Sequence, residues 1–279
     1  MKSVQLSTSD HYVLSGTLFE PSVPNGKFLL INSATGVRQQ MYYSFAQYLS
    51  KHGITVLTYD YRGIGLSKPE KLKGFKASMR TWGSVDYPAA TRYIKENYSE
   101  YEKYCLGHSV GALILGMNED SEIFDEFIFV ATQKAYIGNL TMKTKIEGYL
   151  GFGIVQPVST KLLGYFPAHR FGLGESLPAG SANDWRTLIL NRKSTNRLLE
   201  KTTNISHKLH QKVMVLMMED DHWVTNRGVK TLLRETYPNL QPFMRKVKVS
   251  ESEYGKIGHV NFFRSYNRKL WKIVLDSLL

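Results

Sequence analysis

The run Gly107-His108-Ser109-Val110-Gly111 sets one serine between two glycines, directly after the apolar stretch 104–106 and before Leu113, Ile114 and Met117. A strand that turns sharply into a helix at such a serine would hold its hydroxyl clear of a sheet as a nucleophile toward a carbonyl. Small residues two before and two after are what so tight a turn requires, and Gly107 and Gly111 supply them. The following helix would aim its first amides at the reacting centre, which makes the Val110 N–H a natural donor to a developing oxyanion.

A serine hydroxyl is a poor nucleophile until a neighbouring base takes its proton. His259 is the candidate base, in Gly255-Lys256-Ile257-Gly258-His259, a glycine-flanked loop between the last alternating strand and the last helix. A carboxylate must fix the tautomer of that imidazole, and the apolar strand 213–218 ends in Glu219-Asp220-Asp221. Adjacent residues point different ways, so one of them can serve, with Asp220 and Asp221 the contenders. A further oxyanion donor is expected from the turn-rich loop Asn32-Ser33-Ala34-Thr35-Gly36, with the Thr35 N–H as candidate and Ala34 close behind. His108 adjoins the serine but should point elsewhere and pack or hydrogen-bond. His222 could line the site, whereas His11, His52, His169, His207 and His210 have no such context.

These residues need a scaffold, and the order of elements provides one. Residues 4–19 alternate weakly, as an antiparallel strand pair would. The run 28–31, a helical pattern over 42–49 closed by Gly53, and the β-branched run 54–59 form a βαβ unit, hence a parallel sheet with a right-handed crossover. A helix over 81–97, with Pro88 inside it as a site for a kink, leads to a strand at 102–106, a helix over 110–117 and a strand at 124–131. From 133 to 210 the alternation stops, and no clear strand is expected there. It resumes with a strand at 213–218, a helix over 226–236 and an alternating strand at 244–249. A closing helix presents Phe263, Tyr266, Leu270, Trp271, Val274 and Leu278 on one face.

Composition narrows the class. With 42% hydrophobic and 12% aromatic residues in 279, the chain can bury a large core. One cysteine, Cys105, excludes an internal disulfide, and no Cys/His group has zinc-ligand spacing, so no metal and no organic cofactor is expected. Residues 1–10 lack the apolar stretch of a secretory signal and no run is long enough to span a membrane, which leads to the expectation of a cytoplasmic protein. The net charge of +12 is scattered, without a basic run or an aromatic-rich RNA-binding motif, so no nucleic-acid partner is expected.

The segments Ser33-Ala34-Thr35-Gly36, Tyr59-Asp60-Tyr61-Arg62-Gly63-Ile64-Gly65-Leu66-Ser67, Gly107 to Gly111, Asp220-Asp221-His222-Trp223-Val224-Thr225 and Ile257-Gly258-His259 together resemble the α/β-hydrolase superfamily over nearly the whole chain. The stretch from Tyr59 to Ser67 resembles the D-x-R-G-x-G-x-S turn of its lipase, esterase and serine-aminopeptidase-like branches. Ala34-Thr35-Gly36, 74–80, 177–180 and 258–264 are similar to a bacterial group of predicted α/β hydrolases near the serine-aminopeptidase and monoacylglycerol-lipase-like branch. The resemblance implies a mostly parallel eight-stranded sheet flanked by helices, formed by 1–133 and 211–279, with a mainly helical cap, 134–210, inserted after strand 6. It implies the chain order Ser, acid, His, and an acid four residues before a proline or its equivalent, which favours Asp221, four before Thr225, over Asp220. Two departures, Ser33-Ala34 in place of a His-Gly pair and Ala112 in place of a glycine, bear on substrate shape more than on catalysis.

The expectation is therefore a serine hydrolase with Ser109, Asp221 and His259 as catalytic residues, and the Val110 and Thr35 amides as oxyanion hole. Its partner would be a small-molecule acyl substrate, a carboxylic ester first. Thioester cleavage, peptide cleavage, acyl transfer and C–C hydrolysis use the same triad, and a ligand-binding module on a hydrolase scaffold is the reading of another class. The aromatics Tyr136, Tyr149, Phe152, Tyr165, Phe166, Phe171 and Trp185 could line a pocket or pack the cap's own core.

Overall fold

The run Phe28-Leu29-Leu30-Ile31 has no polar face to offer water. In the computed structural model, which describes all of residues 1–279, it lies in a strand buried on both sides. That strand, β3 (Lys27–Asn32), follows β1 (Lys2–Ser7) and β2 (Val13–Phe19) and is followed by β4 (Thr55–Tyr59), β5 (Glu102–His108) and β6 (Glu126–Val130). Later come β7 (Tyr165–Phe166), β8 (Leu177–Pro178), β9 (Lys212–Met218) and β10 (Gln241–Val247). Eight of these form one sheet in the order β1-β2-β4-β3-β5-β6-β9-β10, with β2 antiparallel to both its neighbours, β1 and β4, and every other pairing parallel. The expected strand pair, βαβ unit and mostly parallel sheet are all present.

Alternate residues of each apolar run feed two separate cores. Phe28, Leu30, Cys105, Phe127, Phe129, Val213 and Val215 pack on one face, beneath α3 (Tyr87–Asn97) and α9 (Asn226–Glu235). Leu29, Ile31, Leu106, Ile128, Val130, Leu216 and Met218 pack on the other, beneath α1 (Tyr43–Ser50) and α10 (Lys272–Leu278). A strand covered by helices on both sides shows no polar alternation, which is why these runs read as continuous.

Several elements differ from the sequence-based expectation. The helix expected over 81–97 is composite: α2 (Met79–Thr81) opens into a widened π turn, Trp82–Asp86, before α3 begins. Pro88 stands in the first turn of α3, where its missing N–H is tolerated, and the extra residue per turn just ahead relieves its ring. The helix expected over 110–117 is broken: α4 (Val110–Leu113) is followed by a 3-10 turn, Leu115–Met117. Tyr237 is the cause, since its buried hydroxyl donates to Ala112 O at 2.7 Å and accepts from Gly116 N at 3.2 Å. The closing helix is also interrupted, at Asn267, whose side-chain amide donates to the carbonyls of Lys256 and Asn261. Tyr266 leaves the apolar face there and packs on Tyr254. β10 starts three residues early, at Gln241, where Pro242 is accommodated because the strand is at the sheet edge.

Between β6 and β9 the chain is mainly helical, with α5 (Met142–Leu150), α6 (Gln156–Leu163), α7 (Ala179–Leu190) and α8 (Thr195–Leu199). The short β7–β8 ladder in this region was not legible in the sequence. Phe152, Ile137 and Ile189 form its own small core, with Trp185 packed on Phe152 at 5.0 Å. The loop before β8 is tied back to the sheet: Glu175 N donates to Gly36 O, and the Glu175 carboxylate accepts from Gly65 N at 2.7 Å. No helix is long and apolar enough to cross a membrane.

Removing the Tyr237 hydroxyl leaves a buried amide and a helix-end carbonyl without partners. Tyr237→Phe is expected to lower unfolding free energy by about 1–3 kcal/mol in urea denaturation, and an unchanged midpoint would contradict this account of the broken helix.

Candidate active site

Ser109 sits at the expected strand-to-helix turn with φ 53° and ψ −115°, a conformation that a non-glycine residue occupies only under constraint. Its N–H donates to Val130 O, and its carbonyl accepts from the Thr132 hydroxyl at 2.8 Å. The flanking glycines are needed for room. A methyl on Gly111 would lie 2.2 Å from Asn32 O, and one on Gly107 would lie 2.5 Å from the Ala112 backbone. The buried Asn32 side chain completes the contact, donating to Gly111 O and accepting from the Tyr59 hydroxyl.

His259 and Asp221 meet, with Nδ1 2.7 Å from Oδ2. The carboxylate is fully buried and its other oxygen accepts from Trp223 N at 2.9 Å, while the imidazole remains partly exposed. Asp220 is occupied differently: its two oxygens accept from the Ile257 and Gly258 amides at 2.9 and 2.8 Å. One aspartate therefore holds the histidine ring and its neighbour holds the backbone that carries the ring. No hydrogen bond joins the Ser109 hydroxyl to His259 in this conformation, but both line one cavity of about 1150 Å³. Hydrogen bonds of this kind often close only when substrate is bound.

Thr35 and Val110 line the same cavity, and the N–H of neither is engaged by the protein. The alternative donor, Ala34, is committed elsewhere, because its N–H donates to the Tyr42 hydroxyl at 3.0 Å. Apolar walls come from Leu113, Leu140, Leu188, Ile189, Trp185 and Trp223. Of the seven aromatics named from the sequence, Tyr165 and Trp185 reach the cavity; Tyr149 and Phe171 are exposed, and Phe152 packs in the small core. His222 lines the cavity as expected. His169, set aside as without context, lines it too and meets the Ser176 hydroxyl at 2.7 Å.

His108 hydrogen-bonds, as expected, but nothing in the residues around it signals its partners. It is fully buried, with Nδ1 2.8 Å from the Tyr42 hydroxyl and Nε2 2.8 Å from the carbonyl of His259. That carbonyl can only accept, so Nε2 carries the proton and Nδ1 accepts from Tyr42. The loop after β3, the turn at the serine and the histidine loop are thus joined in one line: Ala34 N–H, Tyr42, His108, His259 carbonyl. Burial pushes the pKa of His108 down to about 3, with the nearby His259 adding to the effect, and the ring stays neutral. The Asp60 to Ser67 turn is a brace of the same kind. Asp60 accepts from Gln39 and Leu66 amides, and Arg62 bridges Asp86 and Asp10.

A mixed eight-stranded sheet with its turn after β5, its carboxylate after β9 and its histidine after β10 defines the α/β-hydrolase fold. Residues 28–138 match the family described as serine aminopeptidase, S33. No curated protein matches the chain. Among solved structures, an esterase of Pyrococcus furiosus superposes with a TM-score of 0.60 at 16% identity, over 99% of this chain and 90% of that one. The α/β hydrolase GrgF of Penicillium sp. sh18 gives 0.60 at 18% identity, over 99% and 97%. Est1E of Butyrivibrio proteoclasticus, solved with ferulic acid, gives 0.61 at 13%, over 98% of each. The chain thus has the fold of these hydrolases, and its residues 28–138 are similar to the serine-aminopeptidase family.

The buried neutral imidazole makes stability depend on pH in a defined direction. Unfolded, His108 protonates near its ordinary value of 6.5, whereas the folded protein refuses the proton until about pH 3. Its contribution is complete above pH 6.5 and is lost as pH falls toward 3, at up to about 1.4 kcal/mol per unit. Urea unfolding between pH 6.5 and 4 is expected to show a shallower loss in His108→Gln than in the wild type; equal slopes would contradict the assignment.

Proposed function

We propose that the chain is a serine hydrolase that cleaves a carboxylic ester, or a related acyl bond, of a small molecule through an acyl-enzyme on Ser109. The observation that carries this reading is the 2.7 Å contact of His259 with a fully buried Asp221, on the wall of the cavity that also exposes a strained Ser109. With Nδ1–H held by Asp221, Nε2 is free to act as base.

In this mechanism His259 takes the Ser109 proton as the hydroxyl oxygen attacks the acyl carbonyl, and the Thr35 and Val110 amides stabilise the oxyanion. His259 then protonates the leaving alcohol, activates a water against the acyl-enzyme and returns the proton to Ser109. Residues 134–210 act as the cap. They contribute Leu140, Tyr165, Trp185, Leu188 and Ile189 to the cavity, and set its apolar depth. The match of 28–138 to serine aminopeptidases supports a different reading of the same centre, in which the acyl bond is an aminoacyl amide.

A fluorophosphonate probe is expected to label the wild type and not Ser109→Ala, and loss of Ser109 should lower ester turnover by at least about a thousandfold. Asp221→Asn is expected to cost on the order of 10⁴ in kcat, as in other serine triads, because the histidine would hold the wrong tautomer. Asp220→Asn should cost much less, since it loosens the loop alone. Wild-type turnover in Ser109→Ala, or a larger loss from Asp220→Asn than from Asp221→Asn, would overturn the assignment.

A further inference from the structure

We infer that the substrate of this cavity carries an anionic group at the end remote from the scissile bond, held at the mouth by Lys68, Lys71, Lys73 and Arg264. The inference rests on the hydrolase reading above and adds a substrate class to it. Five cations line the cavity, Arg38, Lys68, Lys71, Lys73 and Arg264, against two carboxylates, Glu70 and Glu175. Glu175 is already engaged by the Gly65 amide and lies 3.7 Å from Arg38, so this pair cancels. The remaining four cations have no carboxylate within ion-pair distance, and Glu70 is the one acidic residue left among them.

Depth separates the two characters of the wall. Leu113, Leu188 and Ile189 are buried, whereas Lys68, Lys71, Lys73 and Arg264 are exposed. The cavity is therefore apolar within and positive at its rim. Two features hold the lysine loop in place: Leu72 between Lys71 and Lys73 is buried, and the Lys73 stem packs so closely on Gly164 that a methyl there would lie 2.8 Å from Lys73 Cγ. One exposed charge pair contributes little, but several like charges around an apolar cleft focus the potential and favour a ligand of opposite sign. The fitting substrate is an ester with an apolar chain next to the carbonyl and a carboxylate or phosphate at the far end.

The test uses the whole protein and p-nitrophenyl monoesters of straight-chain dicarboxylic acids, each paired with its methyl-capped neutral counterpart. Another pair has an ω-phosphate chain and its dimethyl ester, so that the two anion chemistries are told apart. At low salt the wild type is expected to prefer the anionic member in kcat/KM by roughly tenfold, the sum of a few partly exposed pairs, and to lose that preference at high salt. In a triple variant, K68E/K71E/K73E, the ratio should fall to one or invert. R192E/K230E/R227E makes the same change in net charge at residues that do not line the cavity, and it should keep the ratio. Equal turnover of the pair by the wild type, equal loss of preference in both triple variants, or probe labelling of Ser109 with neither ester turned over would overturn the inference while leaving the nucleophile assignment intact. Absence of both turnover and labelling would instead overturn the hydrolase reading beneath it.

Discussion

The site depends on a backbone turn that the chain would not adopt unaided. Ser109 is held at positive φ, a conformation that costs a non-glycine residue on the order of 1–3 kcal/mol. What holds it is the absence of side chains on either side. Gly111 lies against the Asn32 carbonyl and Gly107 against Ala112, so that β3, β5 and α4 close on one another with the serine at the apex. The buried Asn32 amide, bonded to Gly111 O and to Tyr59, ties the same turn to the centre of the sheet.

The remaining groups are positioned by hydrogen bonds made to backbone as much as to side chains. Asp221 orients the His259 ring while Asp220 holds the amides of the two residues before it. From the other side, His108 grips the His259 carbonyl, and Tyr42 links that ring to the Ala34 amide. Ala34 is committed in this way, whereas the next residue, Thr35, lines the cavity with its N–H unengaged by the protein. Such preorganisation, fixed before substrate arrives, is what electrostatic stabilisation of an oxyanion requires.

Much of the fold was legible in the sequence, because a parallel sheet covered on both faces writes itself as continuous apolar runs such as 28–31 and 213–218. The glycine spacing around Ser109 was legible because steric need fixes residue type. Boundaries set by distant side chains were not: nothing local to 110–117 says that Tyr237 will take over its helix bonds, and nothing near 263–278 says that Asn267 will be spent on loop carbonyls. The division of labour between Asp220 and Asp221 is likewise a matter of direction rather than of composition, as is the part played by His108. The mouth lysines read as scattered surface charge until the fold gathers Arg38, the 68–73 loop and Arg264 around one opening.

The central claim is that three distant segments form one acyl-transfer centre, and the structure of a covalent phosphonate adduct tests it most directly. The account expects phosphorus bonded to the Ser109 oxygen, one phosphoryl oxygen within hydrogen-bonding distance of both the Thr35 and Val110 amides, and His259 Nε2 turned toward the serine oxygen with its contact to Asp221 intact. An adduct on another residue, or one on Ser109 whose phosphoryl oxygen faces neither amide while the imidazole stays turned away, would contradict it.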